Sequence, residues 1–471
     1  MSRPARKGGR RGATTAAPDS PRPVAATTAS DSPRPVAATT ASGRPRPVLF
    51  VTGHAPPDRI GAFARLHELE NVEFALFGGP SKHGAGAPTA AERAGERAGG
   101  LPFPHRHVRQ HEPARLAASG RYRAVVCSSA GRVALGATWA GTRRAGLPLI
   151  LWSALWAHPR SPAHALSFLA LRRLYRSADA VVTYGPHVSA YVGARGARNV
   201  YVAPQAVDNS FWSSPDVSPP RWPAAETAGI EAGTGRGTSP GARGSGAAGR
   251  AVVEAATKFL FVGRPAREKG LGVLIEAWRT TGLLATPAAL VLVGVGSNPP
   301  WVPAGGAAGV IRKLSDNSPD RLQRALEAPS ATFRTVSKDG ILGIGPVPPG
   351  ELRNLYAACD VLVVPSIATA TFREPWGLVI NEAMNRGLPV ISSDAVGAAA
   401  GGLVRDGRNG LVVPAGDSDA LAGAIRRLAA DPELRARLGE AGARDVRAYT
   451  YDAWAEGFSS ALASLGRSQR R

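Results

Sequence analysis

The sequence predicts an α/β protein built as two doubly wound domains, each a parallel sheet with helices on both faces, that face one another across a cleft. Three observations carry this. Short, wholly apolar runs alternate with longer amphipathic stretches from Pro47 onward, the alternation occurs twice, and a segment of different composition separates the two series. Continuous apolar runs, as opposed to every-other-residue patterns, are what strands covered on both faces require. The chain's 471 residues, 44% of them hydrophobic, are enough for two or three domains with real cores.

The first series runs VLFVTG (48–53), VEFALFGG (72–79), AVVCSS (124–129), PLILWS (148–153), AVVTYG (180–185) and VYVAPQ (200–205). Between Trp212 and Val252 the chain turns to Gly, Ala, Ser, Pro and Thr, the composition of a linker or disordered insertion. The second series opens with FLFVG (259–263), followed by a helix whose Leu271, Leu274, Ile275 and Trp278 share one face. It continues with ALVLVGVG (289–296), DVLVVPS (360–366), a helix over 376–387, PVISSD (389–394), GLVVPAG (410–416) and helices over 419–430 and 432–448. Pro375 suits a first helical turn, and Gly387 followed by Pro389 suits a stop. The expected domains are therefore 47–212 and 257–448. A linker occupies 213–256, and a terminal helix over 449–471 packs back on the first domain and ends in a basic tail.

Ahead of both series, DSPRPVAATTAS over Asp19–Ser30 is repeated without change over Asp31–Ser42. Two copies without large apolar groups cannot stack into a core, so residues 1–46 read as a disordered tail. The net charge of +22 is concentrated at the ends: residues 1–46 hold nine basic and two acidic residues, and Arg467, Arg470 and Arg471 close the chain. About +12 remains for the body, which suits anionic substrates or an anionic surface, and nucleic acid is not expected. Cys127 and Cys359 lie far apart in different predicted strands and support neither a disulfide framework nor a cysteine metal site. Met1–Pro18 has no apolar run after its arginines, and the longest apolar stretch, Leu147–Ala157, falls short of the ~18 residues a span requires. The expected location is cytoplasmic, including peripherally at the inner face of a membrane. Leu166, Leu169, Leu171 and Leu174, interleaved with Arg172, Arg173 and Arg176, make 163–177 a basic amphipathic helix that either lies on an anionic membrane or packs on its own sheet, arginines outward.

Four residues carry the candidate chemistry. Arg264 and Lys269 flank the carboxyl end of a strand, where a flat bidentate donor and a point charge suit a diphosphate; solvated turn residues would look the same. Glu374 and Glu382, at the start of the 376–387 helix and two turns on, would lie roughly 12 Å apart, too far for a glycosidase couple but able to grip two ends of a long ligand. A helix-dipole partner and a surface charge would also account for them.

VGRPAREKG (262–270), Glu374 and Glu382 with seven residues between them, GLPVISSD (387–394) and DGRNGLVVPAGD (406–417), in that order, resemble the C-terminal domain of the family 4 retaining glycosyltransferases, glycosyl transferases group 1, which have the GT-B fold of two Rossmann-like domains. The resemblance covers roughly 257–460, and LYRSADAVVTYGPHVSAYV (174–192) extends it loosely. It implies transfer of a sugar from a nucleoside-diphosphate sugar, a co-substrate with no cofactor and no metal, to a glycan, lipid-linked or small-molecule acceptor in surface or exported polysaccharide synthesis. Arg264 and Lys269 would bind the diphosphate, Glu374 the sugar and Glu382 the ribose. The amides of Gly377 and Leu378 would face the phosphates and Gly345-Pro346-Val347 the base. Thr52-Gly53-His54 and Gly61 would approach the phosphates from the first strand-to-helix loop. Where the family places a catalytic His after a central strand, this chain has Ala154-Leu155-Trp156-Ala157, and the nearest candidate is His158. The loop after Asp394 also lacks an acidic residue common in relatives. His105, His107 and His111 read as a solvated loop in preference to a metal site, and GVGSN (294–298) lacks the third glycine of a dinucleotide motif. The rival readings are a non-catalytic nucleotide-sugar or polyanion binder, or an epimerase or phosphorylase on the same scaffold.

Overall fold

The computed structural model describes residues 45–78, 100–131, 133–220, 255–283, 288–295, 334–336 and 340–468, all within one compact unit spanning Ala37–Arg471. The twelve-residue repeats, most of the Gly/Ala-rich segment, the end of GVGSN, Arg470 and Arg471 lie outside the described residues.

The first sheet comprises β1 (Val48–Thr52), β2 (Val72–Leu76), β3 (His105–His107), β4 (Ala124–Ser128), β5 (Leu149–Ser153), β6 (Ala180–Thr183) and β7 (Val200–Val202). Its order is β3-β2-β1-β4-β5-β6-β7, and its strands are parallel throughout. Helices α1 (Pro57–Glu70), α2 (Pro113–Ala117), α3 (Ala134–Ala145), α4 (Pro162–Ser177) and α5 (Pro186–Gly193) supply the crossovers that parallel neighbours require. After α6 (Asn209–Ser213) the second sheet comprises β8 (Thr257–Val262), β9 (Ala288–Val293), β10 (Arg334–Val336), β11 (Ile341–Ile344), β12 (Val361–Val364), β13 (Val390–Ser393) and β14 (Gly410–Val413). Its order is β10-β11-β9-β8-β12-β13-β14, parallel except for the β10–β11 pair. Its helices are α7 (Leu271–Thr280), α8 (Pro349–Ala358), α9 (Val379–Asn385), α10 (Gly397–Ala400), α11 (Ser418–Ala430) and α12 (Pro432–Asp445), and α13 (Tyr451–Ser468) ends the chain. In each sheet the strand order reverses beside its first strand, which opens a ligand crevice at the carboxyl ends of β1/β4 and β8/β12.

α13 completes the core of the first sheet. Trp454, Ala455, Phe458, Ala461 and Leu462 fall on one helical face and are buried against Phe50, Phe63, Phe74 and Trp152. Trp454 and Phe458 meet with their rings tilted at 4.5 Å, and Phe63 and Phe74 stack at 4.7 Å. Each such side chain contributes about 1.5–3 kcal/mol on burial, so the first sheet depends on a segment from the far end of the chain. Gly61 lies within α1, and a Cβ there would come within 2.3 Å of the Tyr451 ring. The smallest residue is what lets α1 and α13 close. Gly61 is thus an interhelical contact and not part of the first strand-to-helix loop.

Three further readings change. The helix expected over 376–387 is shorter: Gly377, at φ 92°, breaks the chain before Leu378 caps α9. Glu374 therefore sits in a loop, bridged to Val396, and the rise of a helix does not measure its distance to Glu382. His105 and His107 form the exposed edge strand β3 where a loop was expected. β10 and β11 were not read from the sequence at all. Among the described residues no group of three or more His, Cys, Asp or Glu could hold a metal, and no helix is long and apolar enough to cross a membrane. On α4, Tyr175 turns inward while Arg172, Arg173, Arg176 and Leu169 are exposed.

Candidate active site

The chain leaves β8 through Gly263 and Arg264 and makes a tight 3-10 turn, Arg267–Lys269, that ends on Gly270 at φ 70°. A Cβ at Gly270 would lie 1.8 Å from the Pro365 carbonyl oxygen. Only glycine lets the turn seat against the end of β12, where the Ile367 amide donates to the Glu268 carbonyl at 2.9 Å. This seating aims Lys269 at the loop after β12: Nζ meets Glu374 Oε2 at 2.5 Å, and the Ser366 hydroxyl donates to the same oxygen at 3.4 Å. Glu374 is 7% exposed, and that ammonium is the counter-charge beside it. The Arg264 guanidinium has only a 3.4 Å contact with Glu268 and remains available to an anion.

The main chain carrying Glu374 is held from both domains. Its carbonyl accepts from Trp156 Nε1 at 3.1 Å and from the Gly397 amide at 3.1 Å. The next carbonyl, of Pro375, is 3.2 Å from His187 Nε2. A carbonyl can only accept, so Nε2 carries the proton. Burial pushes His187 down to about 4, outweighing the Pro375 bond, while the Arg373 charge lowers it further. The ring is therefore neutral near pH 7. It meets Trp156 edge-on at 5.0 Å, and Arg373 stacks over Trp156 at 4.1 Å. Trp376 Nε1 donates to Asn381 Oδ1 at 2.8 Å, Asn381 Nδ2 donates to the Gln205 carbonyl at 2.9 Å, and the Gln205 side chain accepts from Arg59. This buried relay links α1 to α9.

Glu382, on α9, accepts the Tyr356 hydroxyl at 2.7 Å. Burial raises its carboxyl to about 7, against the Tyr356 bond, and the charge of Asp58 adds to the rise. The remaining sequence candidates divide. Gly53 follows β1 at the mouth of the crevice, its carbonyl accepting from the Gly78 amide at 2.5 Å. Gly377 and Leu378 lead into α9. Val347 is 2% exposed and packs in the core of the second sheet, so its side chain cannot face a base; Pro346 is the exposed residue of that loop. His158 is engaged within the first domain, by the His164 carbonyl at 2.7 Å and the Tyr191 hydroxyl at 3.5 Å. It nevertheless lines a cavity of about 590 Å³ formed by residues 154–160 on one side and by 368–373 with Pro375 on the other. The Arg160 amide donates across this cavity's edge to Ala370 at 2.5 Å.

Residues 250–445 match the family of glycosyl transferases group 1. The matched stretch lies in the C-terminal half of the chain. Curated relatives include a D-inositol 3-phosphate glycosyltransferase of Corynebacterium glutamicum, 34% identical over 166 residues that make up 32% of this chain and 37% of the relative. Another is the lipopolysaccharide core biosynthesis glycosyltransferase LpsE of Rhizobium meliloti, 41% identical over 92 residues, 20% of this chain and 25% of the relative. The matches thus span well under half the length of these relatives. Among solved structures, Anabaena HepE in complex with UDP and glucose superposes with a TM-score of 0.57 at 18% identity, covering 89% of this chain and all of that one. Sucrose-phosphate synthase of Thermosynechococcus elongatus gives 0.57 at 19% identity over 90% of this chain and all of that one. The shared architecture is the GT-B fold. Within the matched residues lie Arg264, Lys269, Glu374 and Glu382; His158, Trp156 and His187 approach them from the other half.

Trp156, His187, Gln205 and Asn381 were not picked out from the sequence as site residues. In the sequence Trp156 only stands near the place where the family carries a His, and His187 only lies within the segment 174–192. No local pattern marks a ring N–H that donates to a carbonyl 218 residues away.

Proposed function

We propose that the chain transfers a sugar from a nucleoside-diphosphate sugar to an acceptor hydroxyl, with retention and without a metal ion. The observation that carries this reading is the pairing of Lys269 with the buried Glu374 at the carboxyl ends of β8 and β12, beside Arg264, whose guanidinium makes a long 3.4 Å contact with Glu268. Arg264 and Lys269 hold the diphosphate and stabilise its charge as it leaves, the task a divalent ion performs elsewhere. Glu374 positions the sugar, and Glu382, set by Tyr356, takes the ribose. The acceptor oxygen bonds to the anomeric carbon on the face from which the diphosphate departs, the carbon–oxygen bond to phosphate breaks, and the acceptor proton passes to the departing phosphate oxygen. No protein nucleophile is needed. His158 faces the acceptor side. The exposed Leu169 with Arg172, Arg173 and Arg176 would let α4 rest on an anionic membrane at the cytoplasmic face, where lipid-linked acceptors of surface polysaccharides are found.

The test is donor stabilisation followed by turnover. Thermal shift against UDP-, GDP- and ADP-sugars should single out one nucleotide, and Arg264→Ala should abolish that shift. Glu374→Ala should remove transfer almost completely while the fold survives, and unchanged turnover would sink the assignment. Donor binding without transfer to any acceptor would leave a non-catalytic nucleotide-sugar binder.

A further inference from the structure

A second cavity, of about 570 Å³, adjoins the cleft and has no part in the donor reading. Its wall is built by the segment after β5, by α4 and by the end of α5, and includes Trp156, His158, Arg160, Phe168, Tyr191 and Arg195. Two of its lining residues are arginines and none is acidic. Arg195 is held rigidly: its guanidinium lies on the Tyr191 ring at 3.4 Å and over Phe168 at 5.5 Å, and one terminal nitrogen donates to the Tyr191 carbonyl at 2.8 Å. Its Nε is nevertheless buried with no hydrogen-bond partner among the described residues. That atom is closed off by its surroundings, but Arg195 as a residue is partly exposed where it lines the cavity, and an anionic oxygen is the strongest acceptor for the guanidinium's charge. Arg160 is exposed at the junction, and its backbone amide donates to the Ala370 carbonyl across the cleft. Residues 156–160 line both cavities, so one ligand can occupy the second cavity and reach into the first. The volume falls in the range of small-molecule sites.

We propose that this cavity is an acceptor subsite for a phosphoryl group: the acceptor carries a phosphate that Arg160 and Arg195 grip, while its reacting hydroxyl extends past His158 into the cleft. The proposal rests on the reading of that cleft as a donor site. Aromatic walls at Trp156 and Phe168 suit the carbon skeleton attached to the phosphate. Arginine is the fitting cation, since its planar fork matches a phosphate's oxygens in pairs.

The experiment uses the full chain and matched probes. Calorimetric titration compares glucose 6-phosphate with glucose and mannose 6-phosphate with mannose. Flotation compares phosphatidylcholine vesicles with and without polyprenyl phosphate. UDP and GDP are titrated in parallel. One phosphorylated probe should bind about tenfold or more tighter than its unphosphorylated counterpart, the worth of a charge-assisted hydrogen bond. That preference should fall to within about threefold in Arg160→Gln and in Arg195→Gln, with nucleotide affinity unchanged. Should Arg195→Gln lose its fold along with the Tyr191 stack, the exposed Arg160→Gln decides. Preference for a soluble ester alone, or for polyprenyl vesicles alone, supports the subsite and identifies the source of the phosphate. No preference in either arm, or a preference that survives Arg160→Gln, overturns it. Failure of the wild type to bind any nucleotide would instead strike the donor reading, and the phosphate preference would still be read independently.

Discussion

Lys269 and Glu374 form a pair in which neither charge is independent. Removing the ammonium leaves a carboxylate that is 7% exposed with only a distant hydroxyl donor, so Lys269→Ala should lower stability by about 1–3 kcal/mol, less than a fully buried pair would lose because Lys269 is partly solvated. The double variant with Glu374→Ala should regain part of that loss. Denaturant midpoints of the four proteins give the coupling directly, and strict additivity would mean that the pair is incidental. Two groups make opposite contributions to pH dependence. Glu382 is raised to about 7 in the folded chain, so its contribution is full below the unfolded value near 4.5 and lost as pH rises through 7. Glu382→Gln should therefore gain on the wild type between pH 4.5 and 8 without ligand. His187 is depressed to about 4, so its contribution is present above 6.5 and lost as pH falls through 4. His187→Gln should flatten the acid limb over that window. Urea titrations at each pH separate the two.

Scale matters differently for the elements, because a loop's shape sets where a carboxylate points. Pro375 reads as the first residue of a helix, yet α9 begins at Val379. The left-handed Gly377 turns the intervening chain so that its carbonyls face Trp156, His187 and α10 instead of continuing a helical ladder. Gly377→Ala should cost about 1–2 kcal/mol through backbone strain alone. Gly270→Ala should cost more, since its Cβ would strike the Pro365 carbonyl and displace Lys269. The ring donors hold the Glu374 loop from across the cleft. Trp156→Phe keeps the stack with Arg373 but removes the N–H, so kcat should fall while nucleotide affinity stays near that of the wild type; a fall in affinity alone would mean the loop does not need the tie. Strands of continuous Val, Leu, Ile and Phe were legible in advance. β11 was not, because Gly343 interrupts a run of only four residues, and neither was β3, whose His-Arg-His edge carries no apolar signal.

At the level of the whole molecule, the two halves are joined by more than the segment between them. α13 places Trp454 and Phe458 in the core of the first sheet, while Asn209 and Ser214 accept from Asn385 and Arg386 of the second half. Cutting the chain before Tyr451 should therefore unfold the N-terminal half and spare the second sheet and its helices, giving partial loss of circular dichroism and protease sensitivity confined to residues before 205. A truncated chain that keeps one cooperative transition would contradict this. By itself the sequence determined the two sheets of mostly parallel strands, because strand burial is written in neighbouring residues, and it singled out Arg264, Lys269, Glu374 and Glu382 as candidates for the chemistry. The tertiary structure alone decided that Val347 faces a core, that Gly61 lies against the Tyr451 ring and that Glu374 is held through its carbonyl by a tryptophan of the other domain. Such contacts join residues more than a hundred positions apart, and their geometry exists only once two independently patterned surfaces have packed together.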